Sequence, residues 1–74
     1  DRISTLSWRT VVAGRWKLNL CAGDQCELFD LENDPYEINN LFNDPLHRDR
    51  IRDMAARILI WQSETDDHAS LPDV

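Results

Sequence analysis

Glycine and proline are scarce in this chain, with two glycines and three prolines among 74 residues. This scarcity excludes a collagen-like or low-complexity chain, and two glycines are too few for a glycine-rich phosphate loop. No apolar run approaches the ~18 residues of a membrane span, and no basic-then-apolar signal segment is present. The first residue is Asp1 rather than Met, so we expect the natural start of the protein to lie upstream.

Basic residues are missing from the middle of the chain. Seven acidic residues and no Lys or Arg lie between Asp24 and Asp44, and the formal net charge is −6. Phosphate contacts need a basic surface, so we expect no nucleic-acid partner. The absence of a long apolar run likewise predicts no membrane partner. The acidic stretch is typical of a solvated loop.

The length bounds the fold to one small domain, 1–74. A domain of this size buries only roughly 60% of the surface that its unfolded chain exposes. Below about 80 residues, small folds usually need a disulfide, a metal or a partner surface. We therefore look for one of these three in the sequence.

The first twenty residues predict two β-strands, because apolar and polar residues alternate there. A three-residue loop at 12–14 would place Gly14 in the left-handed region that such loops require. This register pairs Leu6 with Leu20, Trp8 with Leu18 and Thr10 with Trp16. A two-residue turn at Ala13–Gly14 would flip the parity and move Arg9 onto the apolar face, so the three-residue loop is preferred.

A third strand is predicted from Cys26 to Leu31. If Cys21 opposes Cys26, Leu18 faces Phe29, Trp16 faces Leu31 and Lys17 lies beside Asp30. Directly opposed strand residues have the Cα separation that a disulfide needs, so Cys21 and Cys26 are the candidate bridge. Two free thiols in a reducing compartment are the alternative, and the compartment is not visible in the sequence. No zinc site is predicted, because no second Cys or His pair has ligand spacing.

The second half of the chain predicts one amphipathic helix. Asp44 is a good N-cap and Pro45 suits the first helical position. The expected buried stripe has helical spacing and consists of Ile51, Met54, Ala55, Ile58 and either Trp61 or Gln62. The helix should end near Glu64 or Thr65.

Together these patterns predict an α+β fold, in which a small antiparallel β-meander of three or four strands packs against one C-terminal amphipathic helix. The strands fall within about 5–31, the connection is 32–43, the helix is about 45–64 and the tail is 65–74. The tail is expected to extend over a surface or to be disordered.

No residue is predicted to be catalytic or to bind a metal, and substrate-binding residues stay unassigned. Asp30, Glu32 and Asp34 alternate like the start of a calcium loop, but Pro35 and Leu41 stand where an EF-hand needs Gly and Glu. His47 and His68 have no Ser or Cys nucleophile in a recognisable arrangement nearby, so both are interpreted as solvated histidines.

One string in the middle of the chain is more specific than these patterns. The residues 27–37, ELFDLENDPYE, followed by Asn40-Leu41, closely resemble the "ELYDLENDPxExxNL" segment near the C-terminus of sulfatases. Arg9-Thr10 and the residues 15–18 resemble the "RT…RYKL" hairpin that precedes it in that family. The helix with Trp61 and the tail at 65–67 also fit, so the resemblance extends from about Trp8 to Pro72.

The resemblance implies the small C-terminal subdomain of a sulfatase, an antiparallel sheet with one packed helix. Its partner would be the catalytic domain of the parent enzyme. Sulfatases use a formylglycine made from a Cys- or Ser-x-Pro-x-x-Arg-type motif and a divalent cation, usually calcium. Neither Cys21 nor Cys26 is followed by that motif, so the resemblance implies no catalytic role and no cofactor for this segment.

We therefore expect a structural C-terminal subdomain that completes a sulfatase-like catalytic domain and lines the edge of its substrate pocket. Two alternatives stay open: a free-standing protein-interaction module, and the tail of a related phosphonate or phosphodiester hydrolase. Exposed sheet edges and apolar surface favour pairing with other chains. The isolated chain is accordingly expected to self-associate.

Overall fold

The computed structural model describes residues 8–23 and 25–74. A three-stranded antiparallel sheet, in the order β1-β2-β3, packs against one α-helix that follows a short 3₁₀ turn. The elements are β1 Trp8–Ala13, β2 Trp16–Cys21, β3 Glu27–Asp30, the 3₁₀ turn Pro45–His47 and α1 Arg48–Glu64. The predicted α+β fold, a meander with one C-terminal helix, is confirmed.

The first hairpin has a different register from the predicted one. Ala13 pairs with Trp16 and Trp8 with Cys21, so the loop consists of the two residues Gly14 and Arg15. Gly14 has φ +60°, and glycine at the first position of a two-residue turn matches the twist of the flanking strands. The predicted pairs of Trp8 and Thr10 are therefore wrong, and the predicted pair of Leu6 lies outside the described residues.

This register decides which side chains of β1 face the helix. Val11 and Ala13 pack against the main apolar cluster, and Arg9 lies on the same face because strand residues alternate. In the sequence analysis, a two-residue turn at Ala13–Gly14 is disfavoured because it places Arg9 on the apolar face. The observed turn has the same effect, and Asp67 accepts hydrogen bonds from the Arg9 guanidinium.

The second hairpin is displaced by one residue from the prediction. Leu18 pairs with Leu28 and Lys17 with Phe29, so the predicted pairing of Lys17 with Asp30 is wrong. A one-residue slip turns every side chain of one strand to the other face. The physical reason for this slip is packing: Leu18 and Leu28, both fully buried, meet on the helix-facing side of the sheet.

The same slip separates the two cysteines. Cys26 belongs to the cluster beneath the helix, whereas Cys21 pairs with Trp8 on the opposite face of the sheet. Both are buried thiols, and the Cys26 Sγ lies 3.8 Å from the Cys21 carbonyl oxygen. Cys21 and Cys26 therefore do not lie directly opposite each other on paired strands, as the predicted register required.

The helix begins and ends close to the predicted bounds. The Asp44 carboxylate accepts a hydrogen bond from the Leu46 N–H at 3.0 Å, and Pro45 starts the 3₁₀ turn that leads into α1. The buried stripe is confirmed, with Gln62 rather than Trp61 as its last member. The apolar core between helix and sheet comprises Leu18, Leu20, Cys26, Leu28, Ile51, Met54, Ala55 and Ile58.

The tail has no helix or strand, yet it returns to the body of the domain. Leu71 and Val74 pack against the core cluster, and Gln62 donates hydrogen bonds to Asp67 and to the Ala69 carbonyl. These contacts attach the tail to the core and to the end of α1. In the part of the chain that the structure describes, no helix has the length and apolar character to cross a membrane.

Two isoleucines of α1 test the position of the core. Ile51 is 4% exposed and Ile60 is 59% exposed. Ile51→Val should lower the free energy of unfolding by about 0.5–1.5 kcal/mol through the lost buried methylene. Ile60→Val should change it by less than about 0.5 kcal/mol. Urea unfolding of both variants followed by circular dichroism measures the difference, and equal losses would place the core elsewhere.

Candidate functional site

The acidic segment after β3 is the part of the fold that carries the most specific sequence string. Within residues 8–23 and 25–74, no group of three or more His, Cys, Asp or Glu side chains could hold a metal ion. The polar side chains of this segment instead contact the main chain, Arg15 and Lys17. Their geometry decides what the segment can do.

Asp30 and Arg15 form a two-pronged ion pair between the end of β3 and the first hairpin turn. The Arg15 Nε donates to Asp30 Oδ1 at 2.8 Å and Nη2 to Oδ2 at 2.6 Å. Hydrogen bonding from Arg15, assisted by Asn33, holds the pKa of Asp30 well below its usual range. Asp30 in turn raises the pKa of Arg15. This pair fastens the first turn to the third strand.

Asp30 also organises the turn that follows it. Its Oδ1 accepts hydrogen bonds from the main-chain N–H of Glu32 at 3.2 Å and of Asn33 at 3.4 Å. The Asp34 N–H donates to the Asp30 carbonyl oxygen at 2.7 Å. An aspartate that binds the main chain a few residues ahead is a common turn device, so the alternating acids here build a turn.

Asp34 repeats this arrangement one turn later. Its two carboxylate oxygens accept hydrogen bonds from the N–H groups of Ile38, at 3.0 Å, and Asn39, at 2.8 Å. Between them Glu37 adopts φ +56° and accepts a hydrogen bond from the Lys17 Nζ at 2.8 Å. Lys17 therefore bridges β2 to the connection instead of pairing with Asp30.

Asn40 covers the outer edge of β3. Its Oδ1 accepts from the Leu28 N–H at 3.0 Å, and its Nδ2 donates to the Cys26 carbonyl at 3.1 Å. The Leu41 N–H donates to the Leu28 carbonyl at 2.8 Å. An edge strand otherwise presents unpaired N–H and C=O groups that can recruit another chain. Asn40 and Leu41 occupy that edge in place of a fourth strand.

A second ion pair fastens the tail to the sheet. The Arg9 Nε and Nη2 donate to the two oxygens of Asp67, each at 2.6 Å. The side chains are 12% and 16% exposed, respectively. Hydrogen bonding from Arg9, with a further one from Gln62, holds the pKa of Asp67 well below its usual range. The two strings of the family resemblance at Arg9-Thr10 and 65–67 thus meet in space.

A cluster of aromatic and basic side chains lies where the 3₁₀ turn meets β2. The Arg50 guanidinium lies 3.9 Å from the ring centroid of Trp16, and its Nη1 is 2.8 Å from the His47 Nδ1. The His47 ring lies 5.2 Å from the Trp16 ring, and Arg15 lies 5.4 Å from it. We call these four residues the Trp16 cluster.

The two histidines differ from each other in environment. His68 is 83% exposed, beside Asp66, so its interpretation as a solvated histidine is confirmed. His47 is half-buried in the Trp16 cluster, so its interpretation as solvated is wrong. Arg50, three residues further along and hence on the same side of the helix, was the sequence signal for this contact.

A cavity of about 310 Å³ lies between the start of α1, the connection and the tail. Its lining consists of Cys26, Phe42, Asn43, Asp44, Arg48, Ile51, Pro72, Asp73 and Val74. A thiol nucleophile needs an adjacent base or cation to form the thiolate. Neither histidine lines this cavity, and Cys26 is only 8% exposed, so the lining does not form a thiol–histidine catalytic pair.

Comparison with known proteins gives one partial similarity to report. The chain is 34% identical over 47 residues to an ulvan-active sulfatase of Formosa agariphila. The aligned region is 64% of this chain but 8% of that protein, so the chain spans a small part of the length of the relative that it matches. No protein-family model matches the chain, and neither does any solved structure.

The depressed pKa of Asp67 predicts acid sensitivity. A carboxyl whose pKa is lower in the folded than in the unfolded chain contributes stability above its unfolded value, about 3.9, and loses it as the pH falls towards the folded value. The difference in urea midpoint between the wild type and Asp67→Asn should be largest above about pH 5 and shrink from about pH 5 to 2.

Asp53→Asn is the control for this titration. Its carboxylate is 71% exposed and lies 3.6 Å from the Arg57 guanidinium on the same helix. The midpoint difference of this variant should stay small throughout. A difference between wild type and Asp67→Asn that is independent of pH would contradict the ionic role of Asp67.

Asn40 and Asn39 form a matched pair for the edge of β3. Asn40→Ala leaves the Leu28 N–H and the Cys26 carbonyl without their side-chain partner, which should cost about 1–3 kcal/mol of stability. Asn39 is exposed, and only its main-chain N–H bonds Asp34, so Asn39→Ala should cost less than about 0.5 kcal/mol. Equal denaturation midpoints of the two variants would contradict the edge role of Asn40.

Proposed function

We propose that this chain is the structural C-terminal subdomain of a sulfatase-like hydrolase of sulfuric esters. It completes the fold of a larger catalytic domain and lies at the edge of the substrate pocket. The partial similarity to a sulfatase supports the family. The family string itself, residues 27–41, supports the structural role.

One observation carries this proposal: the polar side chains of residues 27–41 bind the chain itself. Asp30, Asp34 and Asn40 direct their side-chain oxygens to main-chain N–H groups, and Asp30 also binds Arg15. Polar side chains that satisfy the main chain and each other rigidify a fold. The residues that resemble the family most are therefore engaged in structure, which is what a supporting subdomain requires.

The chain's own residues do not fit the cofactors of that family. The carboxylates of Asp30 and Asp34 are engaged by Arg15 and by main-chain donors, whereas a calcium site needs six to eight oxygen ligands directed at one ion. Cys26 is only 8% exposed, and neither histidine lies beside it in the lining of the cavity. The nucleophile and the cation would be supplied by the catalytic domain.

Exposed apolar side chains offer surface for contact with that domain. Tyr36, Ile38 and Leu46 are each more than 80% exposed, and Leu59 and Ile60 are about as exposed as Val12. Single exposed apolar residues are ordinary on a surface. Several of them on a 74-residue chain are also what a free-standing interaction module would present, so that module is the second candidate function.

The coding sequence upstream of Asp1 separates the two candidates. The subdomain proposal expects an open reading frame continuous with this chain that encodes a catalytic domain with the formylglycine motif. An in-frame stop codon shortly before Asp1 would favour the interaction module. Hydrolysis rates of aryl sulfate and aryl phosphonate esters by the longer protein would then distinguish a sulfatase from a phosphonate or phosphodiester hydrolase.

In the longer protein, Asp30→Asn should lower the melting temperature and the yield of folded enzyme while leaving the KM for an aryl sulfate unchanged. The reason is that Asp30 contacts Arg15 and the turn. Glu32→Gln is the control, because the Glu32 carboxylate is 67% exposed and lies 3.3 Å from Arg15. A several-fold higher KM with an unchanged melting temperature would show that Asp30 contacts substrate and would overturn the structural role.

A further inference from the structure

In the described part of the chain, directed contacts hold Arg9, Arg15 and Arg50 in place. Arg9 and Arg15 each place two N–H groups on one aspartate, Asp67 and Asp30 respectively. Arg50 is held differently, by the Trp16 ring at 3.9 Å and by the His47 Nδ1 at 2.8 Å. All three guanidinium groups are therefore positioned, but only two of them are matched with a carboxylate.

Arg50 makes no ion pair with a carboxylate in the described part of the chain. A guanidinium carries five N–H donors in a rigid fork, and the contact with His47 uses one of the nitrogens. This chain has 14 acidic residues and a net charge of −6, so acids are abundant. Asp49 is adjacent in sequence, but neighbouring residues on a helix do not face each other.

The surroundings of Arg50 favour a negative ligand. Arg50 lies in the first turn of α1, which begins at Arg48, and the amino end of a helix carries partial positive charge. His47, the N-cap residue of α1, makes no side-chain capping hydrogen bond, and the Asp44 carboxylate caps the 3₁₀ turn that precedes α1. Arg15 lies 5.4 Å from the same Trp16 ring, but Asp30 and Glu32 both pair with it, so the positive charge that a ligand would meet is that of Arg50.

We propose that Arg50, held by Trp16 and His47, anchors an oxyanion-binding site that takes a sulfate, phosphate or carboxylate group of an external molecule. The remaining donors of its fork match two oxygens of such a group, as the forks of Arg9 and Arg15 do with aspartate. Stacking on Trp16 fixes the plane of the guanidinium before binding, which lowers the ordering cost. This site depends on residues of this chain alone and does not rest on the proposed function.

The alternative role for Arg50 is to cover the Trp16 ring. Arginine stems often pack on apolar surface while their charge stays hydrated. Arg50→Met separates the two roles, because methionine keeps an unbranched apolar stem over the ring and removes the donors. Arg52→Met is the matched control: Arg52 is exposed on the same helix, and its replacement removes the same charge.

The test is an NMR titration of the whole 74-residue chain with sodium sulfate and, separately, with sodium acetate. Sodium chloride keeps the ionic strength constant, because screening alone shifts surface resonances. The readouts are the Nε–H resonances of the arginines and the indole N–H of Trp16, with that of Trp61 as an internal reference. We expect saturable shifts at Arg50 and Trp16 that exceed those at Arg52 and Trp61.

The variants give the quantitative criterion. Arg50→Met should weaken binding of the preferred anion by at least ~10-fold, as expected for the loss of a two-pronged charged hydrogen bond. Arg52→Met should change it by less than about twofold, since an isolated exposed charge contributes little. Tighter binding of sulfate would identify a sulfate or phosphate group as the ligand, and tighter binding of acetate would identify a carboxylate.

Two results would overturn the proposal. One is an equal effect of Arg50→Met and Arg52→Met, which would mean general electrostatic attraction. The other is a set of wild-type shifts that rise without saturation or that are no larger at Arg50 than at Arg52. The wild-type map is decisive even if Arg50→Met fails to fold, because it locates the bound anion without any substitution.

Discussion

The two-residue turn at Gly14-Arg15 is the constraint on which the rest of this structure depends. Gly14 adopts φ +60°, a conformation that costs glycine little and other residues more. The turn fixes Ala13 opposite Trp16 and so determines which side of β1 faces the helix. It also brings Arg15 to the end of β3, where Asp30 binds it. One backbone conformation thus sets both the packing and the polar contacts.

Two arginine–aspartate ion pairs stabilise contacts between separate segments of this small domain. Arg9 fastens the tail at Asp67, and Arg15 fastens the third strand at Asp30. Each pair joins segments that are distant in the sequence and uses a bidentate geometry, which adds direction to the attraction. These pairs and the Asn40 contacts stabilise the tail, the first turn and the edge of β3.

The partial likeness to a sulfatase and the contacts within residues 27–41 both support the proposed structural role. The acidic residues of this segment bind its own main chain and Arg15, which makes the connection after β3 rigid. In the described part of the chain, Arg50 of the Trp16 cluster makes no ion pair with a carboxylate, unlike Arg9 and Arg15. The structural contacts of residues 27–41 and the proposed anion site at Arg50 use different residues, so one chain can have both.

The sequence by itself determined the element types, the helix bounds and the buried stripe, because local spacing and capping at Asp44 and Pro45 depend on neighbours in the chain. It did not determine the strand registers. Pairing registers that differ by one or three residues place opposite faces of a strand against the helix. The choice between them depends on which arginines pair with carboxylates and which leucines pack together. The contacts of Arg9 with Asp67 and of His47 with Trp16 join residues remote in sequence, so only the tertiary structure decided them.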